Sequence, residues 1–239
     1  MKSDHMEYRL KDSIERIEQI IKTNDNAYQE IDKIPGRSAL TYTNGFFLKC
    51  STVSVEIRES SLLTELQKDK TLVKLYRAFI SEVAAAMNGN PKCAEIDVNG
   101  NCVSGFFDTP LKEEINETFS TTGKISSIID IMNYKFKKNN MRELTIGIGM
   151  AYGKALLMKM GYKGADKMVW MGDVVDEAKR LASYGSFETT DKETMVSETV
   201  YYNLDERNKK LLALNPARNC YHGDIVNSLM NNWYKINCH

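Results

Sequence analysis

No charge of one sign dominates this chain: 32 Lys and Arg stand against 32 Asp and Glu. No overall field therefore draws it to nucleic acid or anionic lipid, and a polyanionic ligand must be held by a local site. Nowhere do about 18 uninterrupted apolar residues occur, the length a membrane-crossing helix needs. The first residues, with Lys2, Asp4, His5, Glu7 and Arg9, offer no apolar core for a signal peptide. A cytoplasmic chain with no membrane span is expected. The five cysteines, Cys50, Cys93, Cys102, Cys220 and Cys238, are odd in number and form no CxxC pair. They fit free structural thiols better than a disulfide framework or a zinc site. With His5 and His239 near the termini and His222 within a turn-like His-Gly-Asp, no Ser-His-Asp or Cys-His set assembles.

What is present is a chain of 239 residues, 42% of them hydrophobic, enough for one sizeable domain with a normal core. Residues 6–23 set Leu10, Ile14, Ile17, Ile20 and Ile21 at helical spacing among charges, predicting an amphipathic helix that packs on the core or a dimer. A connection runs to Arg37, and residues 46–57 alternate as a strand ending in Glu56-Ile57. Ser60 and Ser61 can cap a helix whose apolar face runs from Leu62 through Leu66, Leu72, Leu75, Phe79, Ile80 and Val83 to a stop at Asn88-Gly89. Asn99-Gly100 joins strands 94–98 and 102–107, and the dipeptide suits a type I′ turn. A helix over 124–137 follows, then a buried strand over 144–152, with a second hairpin turning at Gly153 into 154–160. Helix 174–184 ends at Gly185. Trp170 and Trp233 read as core or interface aromatics, and Lys135-Phe136-Lys137-Lys138 as a solvated helix end. The order β, α, hairpin, α, hairpin, α predicts an α/β (α+β) fold in which helices cover a mixed central sheet.

Three segments resemble the class III nucleotide cyclases. Ser54–Ser61 (SVEIRESS) is similar to that family's F-A-D-I-R-G-F-T, Gly100–Phe107 (GNCVSGFF) to its G-D-G-V-M-A-V-F, and 146–180 to its G-I-G and V-I-G-D-x-V-N-x-A-x-R stretches. Each match alone is weak, but the three are collinear. The wording of EIRESSLLTE, CVSGFFDTP, VWMGDVV and CYHGDI is similar to one branch, the pyrimidine cyclases of bacterial Pycsar anti-phage defence. That resemblance divides the chain into an N-terminal helix and connection, 1–39, and a cyclase-like domain, 40–239.

The resemblance implies a ferredoxin-like fold, a head-to-tail homodimer with shared sites, and conversion of UTP or CTP to the 3′,5′-cyclic nucleotide plus diphosphate. Two divalent ions, Mn²⁺ or Mg²⁺, would be held by Glu56, the Ile57 carbonyl and Asn101, and the triphosphate by the turn Arg58-Glu59-Ser60-Ser61. Arg180 matches the family's arginine that steadies the α-phosphate, and Asp176 stands where an asparagine orients the ribose. Asp97 and Val169 replace the residues that select adenine, in agreement with a pyrimidine base. A downstream effector would read the product. Three departures, Glu56 for Asp, Asn101 for Asp and Asp176 for Asn, motivate the competing expectation of a non-catalytic cyclase-fold dimer that binds nucleotide as a regulator. On residues alone, Asp176 and Arg180 would form an ordinary surface ion pair one helical turn apart, worth about 0.3 to 0.5 kcal/mol.

Overall fold

The computed structural model describes all residues but 1–4, 6, 59, 61–64, 66–67, 163–164 and 239, and leaves aside the side chains of 162 and 165. In chain order the elements are α1 (Leu10–Ile21), β1 (Tyr28–Glu30), β2 (Gly45–Ile57), α2 (Asp69–Asn88), β3 (Cys93–Asn99), β4 (Cys102–Phe107), α3 (Lys112–Lys138), β5 (Ile146–Tyr162), β6 (Ala165–Met171), α4 (Asp173–Tyr184), β7 (Thr194–Val196), α5 (Glu198–Asn203), α6 (Glu206–Lys209), β8 (Ala213–Asn215), β9 (Cys220–Gly223) and α7 (Ser228–Asn237). Among the described residues the strands form one mixed sheet in the order β3-β4-β2-β5-β7-β9-β8, with β1 added to β2 and β6 to β5.

The alternation of β2 builds two cores. Val53, Val55 and Ile57 point to the face covered by α2 and α3, where they meet Leu75, Phe79, Phe107, Phe119 and Ile129. Leu48 and Cys50 point to the opposite face, against Ala151, Leu157, Trp170 and the Val174, Val175 and Ala178 side of α4. Trp170 is a core aromatic there, stacked on Phe106 with ring centroids 4.3 Å apart. Burial at roughly 1.5–3 kcal/mol per large apolar side chain outweighs the 0.5–1 kcal/mol that each interior glycine costs β5.

Several expectations change. β5 is one strand of 17 residues. Gly153 lies mid-strand opposite Cys50, because β2 pairs with residues 146–158 without a register break, and the hairpin partner is β6. The first hairpin is as expected, but its two-residue loop is Gly100-Asn101, with Asn99 paired to Cys102. Only Gly100 of that pair has positive φ, at 60°, so the turn follows the II′ pattern and not I′. Helix α3 starts twelve residues before the predicted point, and its first half buries Thr118, Thr121 and Thr122. The hydroxyls of Thr118 and Thr122 donate back to the carbonyls of Glu114 and Phe119, at 2.9 and 2.7 Å. Hydroxyls satisfied by their own helix can be buried without an apolar pattern to betray them.

The helix predicted from Ser60 is interrupted, since Lys68 is extended and opens α2. Its early residues Ser61, Leu62 and Leu66 lie outside the described set. His222 lies in β9, paired with Met195 and Ala213, and not in a turn. The apolar row of α1, from Leu10 through Ile14 and Ile17 to Ile21, is exposed and does not pack on the core. Trp233 is likewise 45% exposed. All five cysteines are free. Among the described residues no helix is long and apolar enough to cross a membrane.

Candidate functional site

The alternation that buries Val55 and Ile57 turns Glu56, one residue before the end of β2, to the opposite face. It is paired with Cys102 on β4 and Gly147 on β5. The short Gly100-Asn101 loop brings Asn101 beside it. The Ile57 N–H donates to the Asn101 carbonyl at 3.1 Å. The Asn101 side chain returns: its Nδ2 donates to the Ile57 carbonyl at 3.0 Å, to Ser60 Oγ at 3.2 Å and toward Glu56 Oε1 at 3.4 Å. Four residues singled out in the sequence thus meet within hydrogen-bonding distance.

Arg58 is anchored by its N–H to the Thr145 carbonyl at 2.8 Å, and its guanidinium lies 5.1 Å from the Phe187 ring centre. Glu59 and Ser61 lie outside the described residues. Burial pushes the Cys102 thiol above its usual range, and the charge of Glu56 adds to the effect while Lys179 opposes it.

Arg180 belongs to a different cluster. Its Nε and Nη2 form a fork on Glu177 at 2.7 and 2.6 Å, Nη1 reaches the Arg218 carbonyl at 3.5 Å, and its guanidinium faces the Tyr184 ring at 5.3 Å. The Glu177 hydrogen bonds raise its pKa, so it stays charged. Asp176 is exposed, and the ion pair expected with it is made with Glu177 instead. The two-pronged geometry favours Glu177 over the i+4 partner Asp176. Arg218 stacks on Tyr184 and Phe187 and pairs with Glu188 and Asp191 at 2.9 and 3.0 Å. Nothing in the linear sequence marks Arg218 or Phe187, which reach the cluster only through the fold. Glu177, beside Asp176 on the same helix, was not singled out in the sequence, where Cys102 was read only as a structural thiol at the start of a strand.

Glu56 Oε1, the Ile57 carbonyl and Ser60 Oγ form an oxygen-rich set around the Asn101 amide nitrogen, and these oxygens suit a hard cation such as Mg²⁺ or Mn²⁺. Among the described residues no three or more His, Cys, Asp and Glu side chains gather as a metal-holding group, so the protein's side-chain charge at this corner comes from Glu56. A single carboxylate brings too little charge for two ions without oxygens from a bound triphosphate. Farther along, Asp97 pairs with Lys167 at 2.5 Å and Trp170 Nε1 donates to Glu95 at 3.2 Å, tying β3 to β6 where the resemblance locates the base.

No family model matches the chain. It is 32% identical to a uridylate cyclase of Gulbenkiania mobilis, covering 99% of this chain and all of that one. The chain belongs to the class III nucleotide cyclase family. A uridylate cyclase of Treponema porcinum is 29% identical, over 95% of this chain and 81% of its own length. Among solved structures, the adenylyl cyclase CyaB from P. aeruginosa superimposes with a TM-score of 0.61 at 19% identity, over 71% of this chain and 85% of that one. This last likeness speaks to the fold alone. It sets the mixed sheet and helices of this cyclase-family chain in the arrangement of a solved cyclase.

Proposed function

We propose that this chain is a pyrimidine nucleotide cyclase, converting UTP or CTP to the 3′,5′-cyclic nucleotide and diphosphate. The name borne by its two relatives favours UTP. The observation that carries the reading is the convergence of Glu56, the Ile57 carbonyl and Asn101, with Ser60, at one corner of the sheet. In the reaction the ribose 3′-oxygen bonds to the α-phosphorus, the bond from that phosphorus to the bridging oxygen of diphosphate breaks, and the 3′-hydroxyl proton is lost. Divalent ions, when bound, would acidify that hydroxyl and neutralise phosphate charge. Glu56 and the Ile57 carbonyl are the groups to hold them, Asn101 contributing through its oxygen. Arg58 and the Glu59-Ser60-Ser61 turn receive the triphosphate.

Arg180 steadies the α-phosphate and Asp176 accepts from the ribose, both supplied by the second copy in a head-to-tail homodimer. Residues 1–39 form an extension to the domain over 40–239. Product release into the cytoplasm as an anti-phage second messenger, read by a separate effector, completes the proposal on the strength of the Pycsar resemblance. One observation favours a second reading, a non-catalytic nucleotide-binding dimer: the nitrogen of Asn101, not its oxygen, faces Glu56 and Ile57.

The test is mass spectrometry of products after the purified protein meets Mn²⁺ and each of ATP, GTP, UTP and CTP. Cyclic UMP or cyclic CMP is expected, and Arg180→Ala should abolish it. A folded protein silent with all four would overturn the cyclase reading in favour of the second.

A further inference from the structure

The carboxamide of Asn101 is turned the opposite way from a metal ligand. Its Nδ2 is surrounded by three oxygens, the Ile57 carbonyl at 3.0 Å, Ser60 Oγ at 3.2 Å and Glu56 Oε1 at 3.4 Å. An amide nitrogen has two hydrogens, so three oxygens around it exceed what directed hydrogen bonds need and resemble the shell of a small cation. The orientation is dictated by the partners. A carbonyl and an ionised carboxylate can only accept, and turning the amide over would set its own oxygen against both. The loop also gives the side chain its position through the backbone bond from Ile57 N–H to the Asn101 carbonyl at 3.1 Å.

We propose that Asn101 is an internal cap on the cation position. In the metal-free chain its amide nitrogen stands in for the ion, and a divalent cation enters only by turning the carboxamide away. This rests on the reading of Glu56 and the Ile57 carbonyl as the groups that hold metal. The cap and the ion compete for the same oxygens, so the chain by itself binds metal weakly and the ion is best delivered with a triphosphate that brings its own charge. What Asn101 offers the ion after turning is one neutral oxygen, which water can replace. What it withholds beforehand is its set of hydrogen bonds to the same oxygens. The balance makes Asn101 a net competitor and not a net ligand.

The two roles predict opposite signs. Free Mn²⁺ is counted by electron paramagnetic resonance during titration of the nucleotide-free protein, for the natural chain and for Asn101→Ala, Asn101→Asp and Glu56→Gln. Removing the cap in Asn101→Ala should tighten Mn²⁺ about tenfold, the equivalent of roughly one net hydrogen bond. Asn101→Asp should tighten it further, and Glu56→Gln should lose it. Equal or weaker binding by Asn101→Ala, with Glu56→Gln still defective, overturns the cap and leaves the metal site standing. If Asn101→Asp gains no Mn²⁺ affinity and Glu56→Gln loses none, the metal-site reading itself fails, and the cap with it. Circular dichroism of each variant checks that its fold matches the natural chain.

Discussion

Replacing Gly149 by Ala tests how α4 is seated on the sheet. A Cβ at this position would stand 2.1 Å from the Ala178 carbonyl oxygen, 2.3 Å from the Ala182 nitrogen and 2.8 Å from Leu181 Cβ. The two closest obstacles are helix backbone, which no rotamer change removes. Gly149 itself is fixed between Ser54 on β2 and Met195 on β7. The helix must therefore lift by about 1 Å, a gap that forfeits a quarter to a half of each dispersion contact it breaks. Along α4 those contacts belong to Val174, Val175, Ala178, Leu181 and Ala182, all buried. Overpacking of this kind costs about 1–3 kcal/mol, and the 0.5–1 kcal/mol gained from replacing a strand glycine offsets little of it. With the lost helix contacts added, a destabilisation of about 2–4 kcal/mol is expected, a large share of the 5–15 kcal/mol typical of a domain. Urea unfolding at fixed protein concentration, followed by circular dichroism, measures it. Gly100→Ala is the control for a glycine that nothing crowds, since no atom lies within 4 Å of its Cβ position and only its φ of +60° is at stake. A Gly149→Ala midpoint shift no larger than that of Gly100→Ala would refute the argument that α4 backbone contact is why β5 carries a glycine here.

Two further outcomes follow from charge. Glu177→Gln should lower the KM for the nucleotide by up to about fivefold with little change in stability, because it loosens a half-exposed fork worth at most about 1 kcal/mol on Arg180; steady-state kinetics decides, and a raised KM would make Glu177 a group that positions Arg180 for substrate. Burial, with the charges of Asp130 and Asp224 adding and a Ser126 hydrogen bond opposing, pushes the Glu193 carboxyl up to about 7. The folded chain thus holds this proton more tightly than the unfolded one, so its contribution is full below about pH 4.5 and is lost as pH rises through about 7, by on the order of 3 kcal/mol. Thermal unfolding of Glu193→Gln between pH 5 and 8 should lack that loss and exceed the natural chain at pH 8; parallel profiles would contradict the assignment.

The parts of the fold that could be read from sequence are those whose signal is local. β2 alternates, the α4 stripe repeats at helical spacing, and the Gly100 turn carries its own chemistry. The first half of α3 escaped because its buried face is made of threonines bonded to their own helix, which look polar in a pattern of hydrophobicity. Gly153 was misread as a turn because a glycine in a strand and a glycine ending one look alike until a partner is known. In the site, strand alternation and the two-residue loop are local, but Glu56, Ile57 and Asn101 meet through the pairing of β2 with β4 across 45 residues, and the sequence marked them as one site only through the family resemblance. The choice of Glu177 over Asp176 by Arg180 was not legible, since both spacings are allowed on a helix and the fork geometry decides. The direction of the Asn101 amide depends on acceptors from three separate positions.

The orientation of Arg180 bears on why two copies would be needed. Its described partners are Glu177, the Arg218 carbonyl and the Tyr184 ring, and none of these contacts Glu56, Ile57 or Asn101 among the described interactions. From Arg180 the contacts run through Tyr184 to Arg218, then through Phe187 to Arg58, alternating cation and ring. Rings so placed favour cations on their faces. Swinging Arg180 toward its own Glu56 would break the Glu177 fork, the Tyr184 contact and the Arg218 carbonyl contact together. Asp176 and Arg180 stand one helical turn apart on α4, Asp176 exposed and Arg180 part-exposed, so one helix face carries both groups proposed to reach across to a second copy.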